Sequence, residues 1–515
     1  MSFFHKLKTL DRPVLHLILI SLLGLIAYSN TFNAPFQWND RYYISQNPII
    51  QDLDNFIDLR EAGKFKFYDM LRNRYVGYLT FALNYRLHGL DVTGYHIFNF
   101  FIHIANAILI YFFVVMTFKT PPFKDNILGT YSRHIALCSS FFFVAHPIQT
   151  EAVTYIFQRL ASLAAFFYLL SLVLYIKWRF LSELRFNKGG HEGIFEKRNV
   201  LYLLALLSAV LAMKTKENAF TLPIMITLYE LFFFNGPIIK RRMLFLVPLL
   251  LTSLIVPLTH SGGAEVAARG FRGISRWDYL FTQFRVIVTY IRLLILPVGQ
   301  NIYHDYPVFD SFLKPPVLMS FMFLLSIAGC GAYMFWRSMD KPHFRLFSFG
   351  IFWFFITLSV ESSIIPIPML MNEYRVYLPS VGAFLVISLL AAALLANLKT
   401  RLRVIAIFIA VIIPLLLVAV THTRNDLWRS ETSLWEDAVS KSPNNALSHL
   451  ALGNAYMRSG RLQDALKELT RAVDLDPYCL GAYLSRGTVY LFMEQSELAR
   501  KDYERHDALK SSKGR

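Results

Sequence analysis

The chain has 515 residues, of which 55% are apolar and 16% aromatic, and only 17% carry charge. This balance excludes a disordered chain, and three scattered cysteines (Cys138, Cys330, Cys479) exclude a disulfide framework or a cysteine-built metal site. The net charge of +17 would suit nucleic acid, but the Lys and Arg fall mostly in short connections between apolar runs, where the positive-inside rule puts them.

In chain order, eleven apolar runs read as membrane spans: 14–29, 97–118, 134–146, 157–176, 199–213, 219–235, 243–259, 317–336, 344–360, 376–396 and 403–420. Many approach the roughly 20 residues that cross a hydrocarbon core. Lys6, Lys8 and Arg12 precede the first run, and Leu15 to Tyr28 lacks a small-residue cleavage pattern, so a retained helix with a cytoplasmic N-terminus is expected. The connections after the even-numbered spans are then cytoplasmic, and all are basic. They hold Lys119, Lys124 and Arg133; then Lys177, Arg179, Arg185, Lys188, Lys197 and Arg198; then Lys240, Arg241 and Arg242; then Arg337, Lys341 and Arg345; and finally Lys399, Arg401 and Arg403. An odd span count puts the C-terminal tail outside. The apolar segment 280–296 carries Arg285 and Arg292 seven residues apart on one helical face, which predicts a helix lying in the interface rather than a span.

The opposite side collects the polar groups. Loop one opens with Asn30–Pro48, where Asp40 sits beside Trp38, Asn39, Arg41 and Tyr42, and continues to Asp69, Arg72, Arg74 and Tyr75. His146, Glu151 and Arg159 follow span three, Lys216 and Glu217 follow span five, and Tyr303, His304, Asp305 and Tyr306 follow span seven. Glu361, Glu373, Tyr374, Arg375 and Tyr377 follow span nine. Ionisable groups near membrane depth are costly, so several such clusters on one face predict a functional recess, opened outwards by the short spans three and five. The plain structural alternative pairs Glu217 with Lys216 and Glu373 with Arg375, and makes His146 a helix-end hydrogen bonder.

From Ala446 the tail reads Leu452, Gly453, Tyr456, Ala465, Ala472 and Pro477, the offsets of a tetratricopeptide helical hairpin. Gly487, Tyr490 and Ala499 recur 34 residues on. This predicts a leading half repeat from Thr432 to Pro443, one complete repeat and one partial repeat. About three repeats are needed to bury a continuous core, so the stack must lean on the membrane domain or a partner. The expected fold is all-α. Residues 1–422 form a multi-span membrane domain with a long extracytoplasmic loop 30–96 and interfacial helix 280–296, and residues 423–515 form the repeat domain.

The motifs FQWND (36–40), NYRLHGLDVTGYHIFNFFIHIANA (84–107), FVAHPIQTEAVTYIFQR (143–159), KENA (216–219), HDYP (304–307), NEYRVYLPS (372–380) and TRNDLWRSETSLWEDA (423–438) occur in this order ahead of the repeats. Together they resemble the transmembrane and tetratricopeptide repeat-containing proteins, O-mannosyltransferases of the GT-C type, and their shorter bacterial relatives. The resemblance implies a GT-C-type membrane domain. It also implies inverting transfer of a sugar from a polyprenyl-phosphate carrier to an acceptor hydroxyl on the outer or luminal face.

The base that takes the acceptor proton lies in loop one of such enzymes. Family members carry two adjacent aspartates there, whereas this chain has Asn39-Asp40. The catalytic role therefore falls on Asp40, and Asn39 is left to orient a sugar hydroxyl. Arg375 is the first choice for the leaving phosphate, because a guanidinium gives two parallel hydrogen bonds; Lys216, Arg159 and His146 follow. Glu151, Glu217, Glu373 and Asp305 would hold those cations or bind sugar hydroxyls. A monophosphate donor requires no metal, whereas a diphosphate donor would make Asp40, Glu151 and Asp305 candidate ligands for Mg²⁺ or Mn²⁺.

The implied acceptor is Ser or Thr of an exported protein docked by the repeats. The alternatives are a lipid or cell-envelope glycan acceptor, or a non-catalytic membrane-anchored repeat scaffold. The short tail points to a bacterial inner membrane with periplasmic repeats, the endoplasmic reticulum with luminal repeats being the alternative. The topology is checked with single cysteines placed in the tail of a chain lacking Cys138, Cys330 and Cys479. A membrane-impermeant maleimide applied from outside the cytoplasmic membrane is expected to label them; labelling only after lysis would invert the arrangement.

Overall fold

The computed structural model describes residues 12–123, 127–186, 197–234, 239–259, 274–339, 341–367 and 369–513. Lys6, Lys8, Lys124 and Lys188 of the basic segments lie outside the described residues, as do the side chains of Arg185, Lys197, Arg198, Lys240, Arg241 and Arg242. Among the described residues the chain is all-α and has no β-strand.

Over its described residues each expected span is mostly helical, although 243–259 breaks after Thr252 and 376–396 becomes a regular helix only from Ser380. The bundle begins with α1 (Pro13–Tyr28). Loop one carries α2 (Tyr75–His88), and α3 (Val92–Thr117), α4 (Ser132–Ala145), α5 (Arg159–Phe186) and α6 (Lys197–Met213) follow. Next come α7 (Leu222–Phe233), α8 (Ile239–Thr252), α9 (Arg276–Ile295), α10 (Pro315–Arg337), α11 (His343–Leu358), α12 (Ser380–Asn397) and α13 (Thr400–Asp426). Among the described residues, five helical segments are long and apolar enough to cross a membrane: Val92–Thr117, Ile156–Ser182, Pro315–Arg337, Ser380–Asn397 and Thr400–Arg429. Large apolar side chains on α13 stand in the open, among them Phe408, Val411, Leu415 and Leu416, as lipid-facing residues do. The chain is an integral membrane protein.

Loop one differs from the expectation of a long polar loop. It folds into a layer of short helices over Arg41–Ser45, Pro48–Gln51, Leu53–Phe56, Leu59–Ala62 and Tyr68–Asn73, completed by α2. Asn47, Asp52 and Asp58 each accept a backbone N–H at a helix start, which explains how a polar sequence organises itself. The next helix starts at Val92 rather than 97, because Asp91 caps it through the Thr93 N–H at 3.0 Å. Segment 276–295 is a helix closed by a Ser275/Asp278 capping box. It buries Tyr279, Gln283, Val286 and Tyr290, and its Arg285 reaches Ser320 Oγ at 3.3 Å.

The tail begins with α14 (Glu431–Lys441). Two full hairpins follow: α15 (Ala446–Arg458) with α16 (Leu462–Leu475), and α17 (Leu480–Phe492) with α18 (Ser496–Lys513). The second repeat is therefore a whole hairpin rather than a partial one. Its small residue Gly487 lets Tyr503 approach to 2.9 Å from where a Cβ would stand. The repeats do not stand alone. Ile44, Tyr78 and Phe81 of loop one, Tyr155 and Ile156, and Trp428, Leu434, Trp435 and Leu452 of the tail belong to one continuous core.

Within the bundle, α11 and α12 touch at Gly350 and Gly382. A Cβ on Gly382 would fall 2.8 Å from Trp353 Cβ and would also strike the Gly350 carbonyl. Small residues at such crossings let backbones meet. Gly382→Ala is therefore expected to destabilise the detergent-solubilised protein by about 1–3 kcal/mol. Gly329→Ala, on α10 with nothing within 4 Å, is expected to leave thermal unfolding unchanged or slightly raised. Equal melting temperatures for the two variants would refute the close crossing.

Candidate functional site

The turns that parity assigns to one face do converge on one end of the bundle. Asp40 is reached from the 155–159 turn, Glu151 from Tyr374, Lys216 from Glu361, and Glu217 from Arg74.

Asp40 is 1% exposed. Its Oδ1 accepts the Phe157 N–H at 2.7 Å and its Oδ2 the Gln37 N–H at 3.0 Å. Burial raises its carboxyl to about 7, although the Gln37 and Phe157 amides and the Arg159 charge pull the other way. Two residues earlier, Trp38 sits in the left-handed region at φ 44°, an uncommon backbone for a bulky side chain. Its ring stacks on Tyr155 at 6.2 Å. Asn39 is half-buried, and its backbone N–H donates to the Tyr155 hydroxyl at 3.2 Å.

Glu151 is also buried. Its Oε2 accepts the Tyr374 N–H at 3.0 Å, and its Oε1 has no hydrogen-bond partner. Burial, and then the nearby Glu373 charge, push this carboxyl up to about 8, so it is largely protonated at neutral pH and able to donate. Glu373 goes the other way. Burial alone would raise it, but the His304 hydrogen bond at 3.0 Å, the Arg424 charge and the Asn301 N–H at 2.7 Å together hold it below its ordinary value. Gln300 Nε2 donates to its second oxygen at 2.8 Å.

The two pairings favoured by plain neighbour logic are absent. Glu217 binds Arg74 at 2.6 Å, and Lys216 crosses to Glu361, 2.7 Å away though out of hydrogen-bond line, while lying over the Tyr374 ring at 4.6 Å. Arg375, 1% exposed, donates to the Met369 and Leu370 carbonyls at 2.7 and 3.2 Å. Met369 itself has φ 67°, which turns its carbonyl toward that guanidinium.

Arg159 and His146 likewise make their contacts inside the protein. Arg159 is fully buried, with Nε on Asn99 at 2.6 Å, Nη1 on the Thr80 carbonyl, Nη2 on the Tyr95 carbonyl, and its plane against Phe81 and Phe98. A buried guanidinium without an anion has to find carbonyls and rings, and this one does. His146 accepts the Ile148 N–H on Nδ1 at 3.2 Å and packs on Phe384. Asp305 is exposed and contributes its backbone N–H to Ser442, while its neighbour His304 takes the inward position.

Asp40, Glu151 and Asp305 do not gather as metal ligands. Among the described residues no group of three His, Cys, Asp or Glu has that arrangement. The residues thus do not fit a preformed divalent-cation site. A cleft of about 380 Å³ lies elsewhere, lined by Ser29, Asn30, Phe32, Asn33, Ala34 and Arg429, and none of the expected site residues lines it.

Sequence reasoning missed the tyrosines of α9. Tyr279 donates to the Glu361 carbonyl at 2.9 Å, and Tyr290 donates to the Asn372 carbonyl at 2.9 Å. Their signal was present in the amphipathic pattern of 276–295, whose polar members on the inward face are these hydroxyls, Thr282 and Gln283.

A tetratricopeptide-repeat family model matches residues 446–479. The chain is 24% identical over 92% of its length to the protein O-mannosyl-transferase F38B6.6 of Caenorhabditis elegans, and it spans 64% of that protein. It is 25% identical over 82% of its length to human protein O-mannosyl-transferase TMTC3, of which it spans 47%. Among solved structures, ArnT from Cupriavidus metallidurans bound to undecaprenyl phosphate aligns with 95% of this chain and 77% of its own, at 14% identity and a TM-score of 0.39. The likeness carried by the motifs therefore extends along most of the sequence: the chain is similar to protein O-mannosyl-transferases and carries a tetratricopeptide repeat.

Proposed function

We propose that this protein is a GT-C-type membrane glycosyltransferase that moves a sugar from a polyprenyl-phosphate donor to a hydroxyl of an exported acceptor, with Ser or Thr of a protein as the acceptor class. The observation that carries this reading is the Asp40 carboxylate, buried beside a strained turn and raised to about 7, where a general base for neutral pH belongs. Its likeness to protein O-mannosyl-transferases along most of its length supports the same chemistry.

Each Asp40 oxygen accepts one backbone N–H and keeps a second lone pair for the acceptor hydroxyl. As the acceptor oxygen bonds to the anomeric carbon, its proton passes to Asp40. The bond from that carbon to the phosphate oxygen breaks, and its electrons leave with the phosphate. Back-side displacement inverts the anomeric centre. Lys216, which lies over the Tyr374 ring, and Arg375, the next residue along the chain from Tyr374, supply the cationic side for the departing phosphate. Arg159 and His146 are the second choices for that charge. Glu151, Glu217, Glu373 and Asn39 hold the cations or meet sugar hydroxyls. At 1% exposure Asp40 meets an acceptor only after the surrounding loops part, which keeps water from competing. The extracytoplasmic face and an acceptor held by the repeats complete the reading.

Purified protein with a radiolabelled polyprenyl-phosphate sugar and Ser/Thr-containing acceptors tests it. Asp40→Asn is expected to lower transfer by about 10²- to 10⁴-fold; transfer at the wild-type rate would refute the assignment.

The pH dependence has a definite sign. Below about 7 Asp40 holds its proton and cannot act as base, so kcat/KM is expected to rise with pH and level off above about 7. A profile flat from about pH 5 to 8 would exclude a base with the raised carboxyl of Asp40.

A further inference from the structure

The first tail helix, α14, touches both carboxylate-bearing sides of the site. On one side, Trp435 presents an edge to Trp38 with ring centroids 5.6 Å apart, and Glu431 pairs with Arg41 at 3.1 Å and also with Arg458. The turn just before it holds Gln37, whose side chain donates to the Trp428 carbonyl at 3.1 Å. Gln37 in turn fixes Asp40 twice: its N–H donates to Oδ2, and its carbonyl accepts the Asp40 N–H at 2.8 Å. Trp428 also packs on Tyr155, the residue that stacks on Trp38 and binds the Asn39 N–H. On the other side, Lys441 donates to the Gln300 carbonyl at 2.8 Å, and Ser442 accepts from Asn301 Nδ2 at 2.9 Å, in the segment that holds Glu373. Asp437 of the same helix pairs with Arg424 at 2.9 Å.

From this juxtaposition we infer that α14 is a built-in part of the transferase site, and that Trp435 is a positioning residue that holds the Trp38–Asp40 turn. The left-handed Trp38 backbone gives the reason such a clamp is needed. A bulky residue in that region costs of order 1–3 kcal/mol and persists only where its surroundings fix it. Three rings, Tyr155, Tyr303 and Trp435, surround the Trp38 indole. Tyr155 comes from the membrane domain and Trp435 from the tail, so the turn is set only when both domains are in place. The repeat tail then does more than present an acceptor: its leading half repeat completes the geometry of the base. This inference rests on the proposed transferase reading only for its kinetic consequence.

The test uses the full chain in detergent or nanodiscs. In Trp435→Ala, amide hydrogen exchange in peptides covering 36–45 and 155–159 is expected to run about 2- to 12-fold faster, the factor that an edge-to-face aromatic pair contributes. Peptides covering 480–510 should keep wild-type rates, and Trp435→Phe should restore protection. Trp38→Ala, which leaves the buried tail core intact, should reproduce the effect at 155–159.

With an acceptor peptide too short to engage the repeats, kcat should fall by up to about 100-fold, as a displaced catalytic group implies. KM for the peptide should change little. Unchanged exchange of the Asp40 turn in both alanine variants would overturn the inference whatever the activity. Faster exchange with wild-type kcat would overturn its kinetic part. Absence of transfer by the wild-type protein would instead refute the functional reading, and the exchange result would stand by itself.

Discussion

The backbone N–H of Phe157 donating to the Asp40 carboxylate is the contact on which the polar end of the bundle depends. It ties the first loop to the turn between α4 and α5, and in doing so places a carboxylate inside the protein. Taking an acidic group out of water is costly unless donors replace the water, and here two backbone amides do so. Because the donors belong to the main chain, they cannot move away without unfolding a turn. Rigid donors thus hold a carboxyl that burial raises to about 7.

The remaining charges are arranged by crossing rather than by adjacency. Lys216 and Glu217 are neighbours in sequence, yet each reaches a different element, Glu361 and Arg74 respectively. Glu373 turns from Arg375 toward His304, Gln300 and Asn301. Each crossed pair links two chain segments at the polar end of the bundle, so the ion pairs set the relative position of loops that the helices alone would leave loose. A pair between sequence neighbours would have fixed nothing.

Much of this was legible in the sequence. Apolar runs and basic connections located the helices and gathered the polar turns on one face, and Gly453 with Ala465 and Pro477 announced the repeats. The helical layer of loop one was not legible, because its helices are one or two turns long and rest on caps such as Asn47 and Asp58 rather than on apolar periodicity. The partners of Arg159 were hidden for another reason. A buried arginine held by carbonyls of Thr80 and Tyr95 leaves no acidic residue to read in the sequence. Side-chain identity signals charge, whereas backbone acceptors are available everywhere. The packing of Trp435 on Trp38 joins positions nearly 400 residues apart and follows from no local pattern.

That separation bears on how the protein comes to exist. Loop one shares its core with the tail, and Asn30 donates to Asp426 and to the His422 carbonyl. During synthesis the first loop is finished early, but the surface it must cover, and be covered by, is made last. The loop therefore waits, with the Trp38 indole lacking Trp435 and the Gln37 side chain lacking the Trp428 carbonyl, until the first tail helix arrives. A chain interrupted anywhere before Trp428 leaves that loop without the tail's share of the core. Such a fragment is a natural substrate for quality control even when every earlier helix has inserted correctly.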